Sequence, residues 1–219
     1  MKQGKGLLLT GIVLLALFGV WTALIQVVDV RAVGETGTEI GFAAVNVRFH
    51  EWTGVHMWLY TATDWLGLVP VFVCLLFGAV GFAQLVRRRS LLKVDRDILL
   101  LGVYYVLVMG CYLVFETIPI NYRPILIEGR MEASYPSSTT LLVLSVMPTL
   151  AEQAHRRLNG RRWKKTLTAL TVLFSAGMVM GRLVSGVHWL TDIVGAVLLS
   201  GGLFCVYRAA VRLCCEKER

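Results

Sequence analysis

The densest group of reactive side chains in the 219-residue chain is GRLVSGVHWLTD, residues 181–192. It holds Arg182, His188 and Asp192. His188 and Asp192 stand at i and i+4, so they share one face at the start of an apolar run. A carboxylate there can accept from one imidazole nitrogen, fix the tautomer and leave the other nitrogen as nucleophile or base. Arg182 closes the preceding apolar run, across a turn that contains Gly186, and brings a planar cation suited to phosphate. A second group is NYRPILIEGRMEASYPSSTT, residues 121–140. Arg123-Pro124 follows another apolar run, and Pro136 stands where a helix would begin. Backbone N–H groups at such a helix start form an anion site, to which Ser137, Ser138 and Thr139 add hydroxyl donors. Two arginines, a helix N-terminus and a carboxylate-oriented histidine describe a phosphate-handling site.

The elements that must position these residues are membrane spans. The chain is 56% hydrophobic with a mean hydropathy of +0.66, outside the ordinary soluble range. Apolar runs reaching the roughly 20 residues needed to cross a bilayer fall at about 6–28, 63–86, 98–118, 137–154, 166–184 and 189–211. The expected fold is an all-α integral membrane protein, a six-transmembrane helix bundle forming a single membrane domain over residues 1–219. The first run is too long for a signal peptide and lacks an Ala-x-Ala site after it, so it reads as a retained span. Pro148 makes a kink plausible in the fourth span.

The formal charge of +8 does not point to nucleic acid. Most of the 22 Lys and Arg lie in four short clusters, at the N-terminus, 87–96, 155–165 and from Arg208 onward. These alternate with the spans, as the positive-inside rule requires of cytoplasmic loops. Both termini are then cytoplasmic, and segments of about 29–62, 119–136 and 185–188 face outward with the reactive groups. In the first of these, Ile40, Ala43, Ala44 and Val47 recur at helical spacing. They predict a short helix on the outer surface that covers a site, guides a lipid or packs on the bundle. The cysteines are Cys74, Cys111 and Cys205 within apolar runs, and Cys214 and Cys215 in the basic tail. No Cys-x-x-Cys pair or outward cysteine is present, so neither a disulfide framework nor a metal site is expected. Cys214 and Cys215 are juxtamembrane thiols open to acylation.

In order, side and spacing these residues resemble the type 2 phosphatidic acid phosphatase superfamily. Its signature has three parts: Lys-x6-Arg-Pro, Pro-Ser-Gly-His and Ser-Arg-x5-His-x3-Asp. Arg182, His188 and Asp192 match the third at the right spacing, with Gly181 in place of Ser. Arg123-Pro124 matches the end of the first, but its Lys position holds Glu116. Pro136 and Ser137 match the second, with Ser138 in place of Gly and Thr139 in place of His. The resemblance implies a six-helix membrane fold with the site on the outward face of a plasma membrane. It also implies a phosphorylated lipid substrate, drawn from the surrounding membrane lipids, and no metal or other cofactor. His188 would attack phosphorus and form a phosphohistidine, oriented by Asp192. Arg123, Arg182, Ser137 and backbone amides would hold the phosphoryl oxygens.

In the family the histidine of the second part protonates the leaving group, which Thr139 cannot do. One reading is an enzyme whose leaving group needs no acid. A lipid alkoxide is a poor leaving group, its conjugate acid having a pKa near that of water, about 15.7. A phosphate monoester, with a second pKa of about 6, leaves easily, so a polyprenyl diphosphate becomes the expected substrate. The other reading is a catalytically degenerate protein of the same fold that binds or transports phospholipid, which Glu116 favours. As substitute acids, His50 and His56 read as solvated or interfacial side chains, and Glu128 and Glu132 flank Arg130 and can pair with it. His155 lies on the cytoplasmic side, and Asp64 reads as a structural hydrogen-bond acceptor near the outer end of the second span.

Overall fold

Continuous apolar sequence with no polar breaks forces the backbone to satisfy itself by helices, and the chain does so along nearly its whole length. The computed structural model describes residues 2–33 and 37–215. Eight α-helices follow in order: α1 Lys2–Ile25, α2 Ala43–Thr53, α3 Met57–Leu66, α4 Leu68–Arg88, α5 Arg96–Thr117, α6 Ser138–Arg157, α7 Arg161–Val184 and α8 Leu190–Cys215. A hairpin of β1 (Arg31–Val33) and β2 (Thr38–Ile40) precedes α2, with Arg31 opposite Ile40 and Val33 opposite Thr38. The fold is all-α apart from that hairpin.

Five helical stretches among the described residues are long and apolar enough to cross a membrane: Lys2–Ile25, Met57–Arg88, Arg96–Thr117, Arg161–Val184 and Leu190–Cys215. Each coincides with an expected span. Side chains such as Phe72, Leu75, Phe82, Val106 and Leu173 are left exposed around them, as lipid-facing surfaces require.

The expected fourth span, α6, is not apolar enough to join that set, and its surroundings explain why. It packs against α4, α5, α7 and α8, and Val143, Ser145, Val146, Thr149 and Gln153 are fully or almost fully buried. A helix enclosed by other helices can carry polar groups so long as each finds a partner. The Tyr104 hydroxyl donates to the Ser145 carbonyl at 3.0 Å, the Tyr105 and Thr149 hydroxyls lie 2.7 Å apart, and the Gln153 amide donates to the Tyr207 hydroxyl at 3.4 Å. The helix runs on through Pro148.

Between the first and second apolar stretches the expectation needs correcting in two places. Ile40 belongs to β2, not to a helix, and is buried against Ala43 and Trp189. The predicted short helix is real but starts at Ala43, after Phe42 in the left-handed region (φ 50°). Helix also begins at Met57 rather than near 63, because α3 and α4 follow one another with only Gly67 between them.

The main helix pair is α1 with α8, and small residues set its closeness. A Cβ on Gly202 would lie 2.8 Å from Leu15 Cγ and Cδ2 and 3.1 Å from the Leu15 backbone nitrogen. Gly11 meets α8 in the same way, against Val206 and the Gly202 carbonyl. At the far end Arg212 of α8 bonds Gln3 of α1. At the near end the Trp21 indole donates to the Thr191 carbonyl at 3.2 Å, and Thr22 bonds the Tyr135 hydroxyl at 2.7 Å. The Gly202→Val substitution should therefore cost about 1–3 kcal/mol through overpacking. Thermal unfolding in detergent reads this as a lowered midpoint, with little effect expected from the same change at Gly110, which faces open space.

Candidate active site

The site is built where α8 begins. Asp192 occupies the third position of α8, and its Oδ2 accepts the Trp189 backbone N–H at 2.9 Å. That is the carboxylate half of a capping box. Its Oδ1 accepts the Asn121 side-chain amide at 3.1 Å, and its own carbonyl accepts the Ser137 N–H at 3.2 Å. One residue thus joins the start of α8 to both ends of the 121–137 loop. The loop is tied across itself by Ser134 N–H donating to Asn121 O at 2.9 Å and by Arg123 N–H to Glu132 O at 3.1 Å. The Trp189 indole holds its near side, donating to the Tyr122 carbonyl at 2.8 Å.

His188 is presented by the turn between α7 and α8. Gly186 adopts φ 71° there, and a Cβ at that position would collide with the Gly54 carbonyl, so the turn requires glycine. His56 N–H donates to Ser185 O at 2.9 Å, and His50 Nε2 lies 3.1 Å from Gly186 O. The segment joining α2 to α3 is therefore laid over the turn. His50 is half-buried against the Trp189 ring rather than solvated, whereas His56 is exposed.

His188 Nδ1 stands 3.6 Å from Asp192 Oδ2, and neither ring nitrogen has a hydrogen-bond partner among the described residues. The ring is almost fully buried. Burial pushes its pKa down to about 4. Asp192 pulls it up, and Arg123 and Arg182 push it down further. The ring is therefore neutral at pH 7. With Nδ1–H facing the carboxylate, Nε2 keeps its lone pair.

Arg182, at the end of α7, is fully buried. Its Nη2 bonds Asp64 Oδ1 at 3.1 Å and the Thr139 hydroxyl, and its Nη1 reaches Tyr60 O and Thr63 Oγ1, each at 3.4 Å. Arg123 pairs through Nε with Glu132 Oε2 at 3.1 Å. The Tyr60 ring lies near both cations, 5.6 Å from the Arg123 guanidinium carbon and 4.9 Å from that of Arg182, within the range of cation–π attraction. Arg123 Nη1 and Arg182 Nε are buried with no hydrogen-bond partner among the described residues. These donors and a free imidazole nitrogen are what an oxyanion of phosphorus requires.

The structure brings together Arg182 with Thr139, His188 with Asp192, and Ser137 with Asp192. The Ser137 hydroxyl is turned to Thr140, at 3.1 Å. Ser138 lines a small cleft with Tyr112, Phe115, Glu116 and Tyr135. That cleft has none of the two arginines, His188 or Thr139 in its lining. Glu132 pairs with Arg123, where the sequence pointed to Arg130. Sequence reasoning missed Tyr60, Thr63, Asn121 and Trp189; Asp64 is the hydrogen-bond acceptor it expected, with Arg182 as the donor. The available signal was the spacing of Tyr60, Thr63 and Asp64, which places all three on one face of a helix.

The comparisons bear on the family and the fold. Residues 111–214 match the family model described as the PAP2 superfamily. The fold matches the crystal structure of a transmembrane PAP2-type phosphatidylglycerolphosphate phosphatase from Bacillus subtilis, with a TM-score of 0.67 and 17% identity. That match covers 94% of this chain and 97% of the other. No curated protein matches the chain. The family model over residues 111–214 thus shares the resemblance read from the motifs, and the chain is a multi-pass membrane protein with the PAP2-type fold.

A ring with a folded-state pKa near 4, against 6.5 ordinarily, binds its proton more weakly folded than unfolded. Its neutral form contributes stability that is fully present above pH 6.5 and is lost as pH falls toward 4. The thermal midpoint in detergent should drop across that window, and His188→Gln should flatten that part of the slope. An unchanged slope would show that the ring already carries its proton in the folded protein.

Proposed function

We propose that the chain is a membrane lipid phosphatase that forms a phosphohistidine on His188 and acts best on a lipid diphosphate. The observation that carries this reading is the buried imidazole, oriented toward Asp192 and lacking any other partner, beside two buried arginines. Nε2 would attack phosphorus, and Arg123 and Arg182 would stabilise the charge on the phosphoryl oxygens as it shifts in the transition state. Among the described residues no three His, Cys, Asp or Glu side chains gather as a metal site, and the roles assigned here use the chain's own cations. Thr139 stands where relatives place an acid, and its hydroxyl is engaged by Arg182. An undeveloped acid costs a rate factor of about 10²–10⁴ when the leaving group is an alkoxide. It costs far less for a phosphate leaving group, and this supports the diphosphate.

The same reading takes α6 as a sixth span, packed against α4, α5, α7 and α8, and residues 1–219 as one membrane domain. It places α2 at the outer surface, over the turn that presents His188. The basic clusters all gather at the end of the bundle opposite the site. There Arg157 of α6 meets Asp97 of α5 at 2.8 Å, and Arg208 of α8 meets Glu152 at 3.1 Å. By the positive-inside rule that end is cytoplasmic, which puts both termini inside and the site at the outer face of the plasma membrane. Cys214 is exposed at that end. In right-side-out vesicles an impermeant maleimide should label it only after permeabilisation; labelling of intact vesicles would reverse the orientation.

The assay that tests the activity measures phosphate release by the full chain in detergent, with a chelator present. The substrates are a polyprenyl diphosphate, a phosphatidic acid and phosphatidylglycerolphosphate. The diphosphate should be preferred, and His188→Ala should abolish its turnover. Thr139→His should raise monoester hydrolysis more than diphosphate hydrolysis. Equal rates on all three would end the leaving-group argument. Turnover of none, with lipid binding retained, would leave a phospholipid-binding or transport protein.

A further inference from the structure

The second half of a phosphohistidine reaction needs a base, whatever leaves in the first. Water must lose a proton as it attacks the phosphorylated histidine. A group placed to protonate a leaving oxygen is, by microscopic reversibility, placed to take that proton. At Thr139 this chain has no such group, so the proton must go to a neighbour.

α3 supplies one. Asp64 Oδ1 and the Thr139 hydroxyl share a single nitrogen, Nη2 of Arg182. The carboxylate therefore lies two hydrogen bonds from the side chain at the acid position, on the same guanidinium that would hold the phosphoryl oxygens. Its side chain is 60% exposed, against 2% for Arg182. It thus reaches from the buried cation to the surface of the bundle, near the start of the Met57–Arg88 stretch, at the end that holds the site. It is not a packing residue, and α3 is held in place without it: Arg182 also bonds Tyr60 O and Thr63 Oγ1 from the same helix. Gly181, one residue before Arg182, lets α3 approach, since a Cβ there would come within 2.6 Å of Thr63 Cγ2. The other carboxylate near the arginines, Glu132, pairs with Nε of Arg123 and is not joined to Thr139.

We propose that Asp64 is the catalytic base of the dephosphorylation step, an inference that rests on the phosphohistidine reading above. In the first step the Nε2 lone pair forms the N–P bond, and the P–O bond to the leaving phosphate breaks with its electron pair. No proton is needed. A phosphoryl oxygen takes over the Arg182 Nη2 bond that Asp64 now accepts, leaving the carboxylate beside the phosphorus and open to water. In the second step the water oxygen forms a bond to phosphorus and its proton passes to Asp64. The N–P bond breaks, returning its electron pair to His188 Nε2. Inorganic phosphate departs, and Asp64 releases the proton to bulk solvent.

The test uses the full chain in detergent and a polyprenyl diphosphate labelled in its terminal phosphate. Phosphohistidine is trapped by alkaline quench, and the first product is followed from the earliest times. Asp64→Asn should give one rapid equivalent of lipid monophosphate and an accumulated phosphoenzyme. Its steady-state turnover should fall by about 10²–10⁴-fold, and Asp64→Glu should restore part of it. Glu132→Gln should instead raise KM without accumulating phosphoenzyme. A purely structural Asp64 would slow formation and breakdown together, and that result, like wild-type turnover in Asp64→Asn, would overturn the proposal while leaving the phosphatase intact. Accumulation in Glu132→Gln alone would move the role to Glu132. A wild-type chain that turns over substrate without any phosphoenzyme dependent on His188, even on rapid quench, would remove the parent reading and this one with it. Thermal midpoints of the variants separate misfolding from a chemical effect, and Asp64→Ser replaces Asp64→Asn should the amide fail to fold.

Discussion

Everything at this end of the bundle depends on a carboxylate that water cannot reach. Asp192 is fully buried, and an ion so placed costs several kcal/mol unless its lone pairs are met. The chain meets them from two directions: the Trp189 N–H, which also caps α8, and the Asn121 amide from the loop after α5. The obligation to satisfy one charge thus fixes where α8 starts, where the 121–137 loop lies and how the α7–α8 turn presents His188. The contact at 3.6 Å to the imidazole is the part of this arrangement that chemistry can use. It is longer than a good hydrogen bond, so orientation is set by the frame around Asp192 rather than by the His–Asp contact itself.

The two arginines answer a related problem in the opposite sense. Arg182 is fully buried and Arg123 nearly so, and each is paired with a carboxylate that is itself partly exposed: 60% for Asp64 and 38% for Glu132. Such pairs do not lock the cations away, because an anion arriving from outside meets carboxylates that can turn to water at small cost. The Tyr60 ring, within cation–π range of both guanidinium groups, attracts each of them and offsets part of their mutual repulsion. An apolar α3 would have left Arg182 buried with only Thr139 and one backbone carbonyl of α3. The polar face Tyr60, Thr63, Asp64 is therefore as much part of the arginine site as the signature residues are.

Much of this was legible in the sequence, and the reasons differ by element. Apolar runs bounded by basic clusters reveal the spanning helices because bilayer thickness sets their length. The run at 137–154 was expected as a span on the same ground, but α6 is less apolar than the others, since packing against four helices lets it carry Ser, Thr, Gln and Glu. The β1–β2 hairpin was not legible: three-residue strands are too short to show alternation. The His188–Asp192 pair was legible because one helical turn joins its members. The contacts of Arg182 with α3 and of Asp192 with Asn121 were not, because they join residues 118 and 71 positions apart, and no local periodicity encodes a meeting at that range.

Thr139 is one of the residues at which the chain departs from the signature it resembles, and its surroundings change what the departure means. A histidine there would be a titratable group facing the leaving oxygen. The threonine instead places a short hydroxyl against Arg182 Nη2, the nitrogen that Asp64 shares. A hydroxyl is a weaker electrostatic partner than a carboxylate, so it anchors the guanidinium without neutralising it. Threonine therefore offers no acid but holds the cation, and the same nitrogen meets a carboxylate from another helix. Chemistry that needs a proton early is weakened by such an exchange, whereas chemistry that needs a fixed positive charge early and a base late is not. The loss at one position and the polar face of α3 are then two sides of one arrangement, which is why neither can be interpreted from its own motif alone.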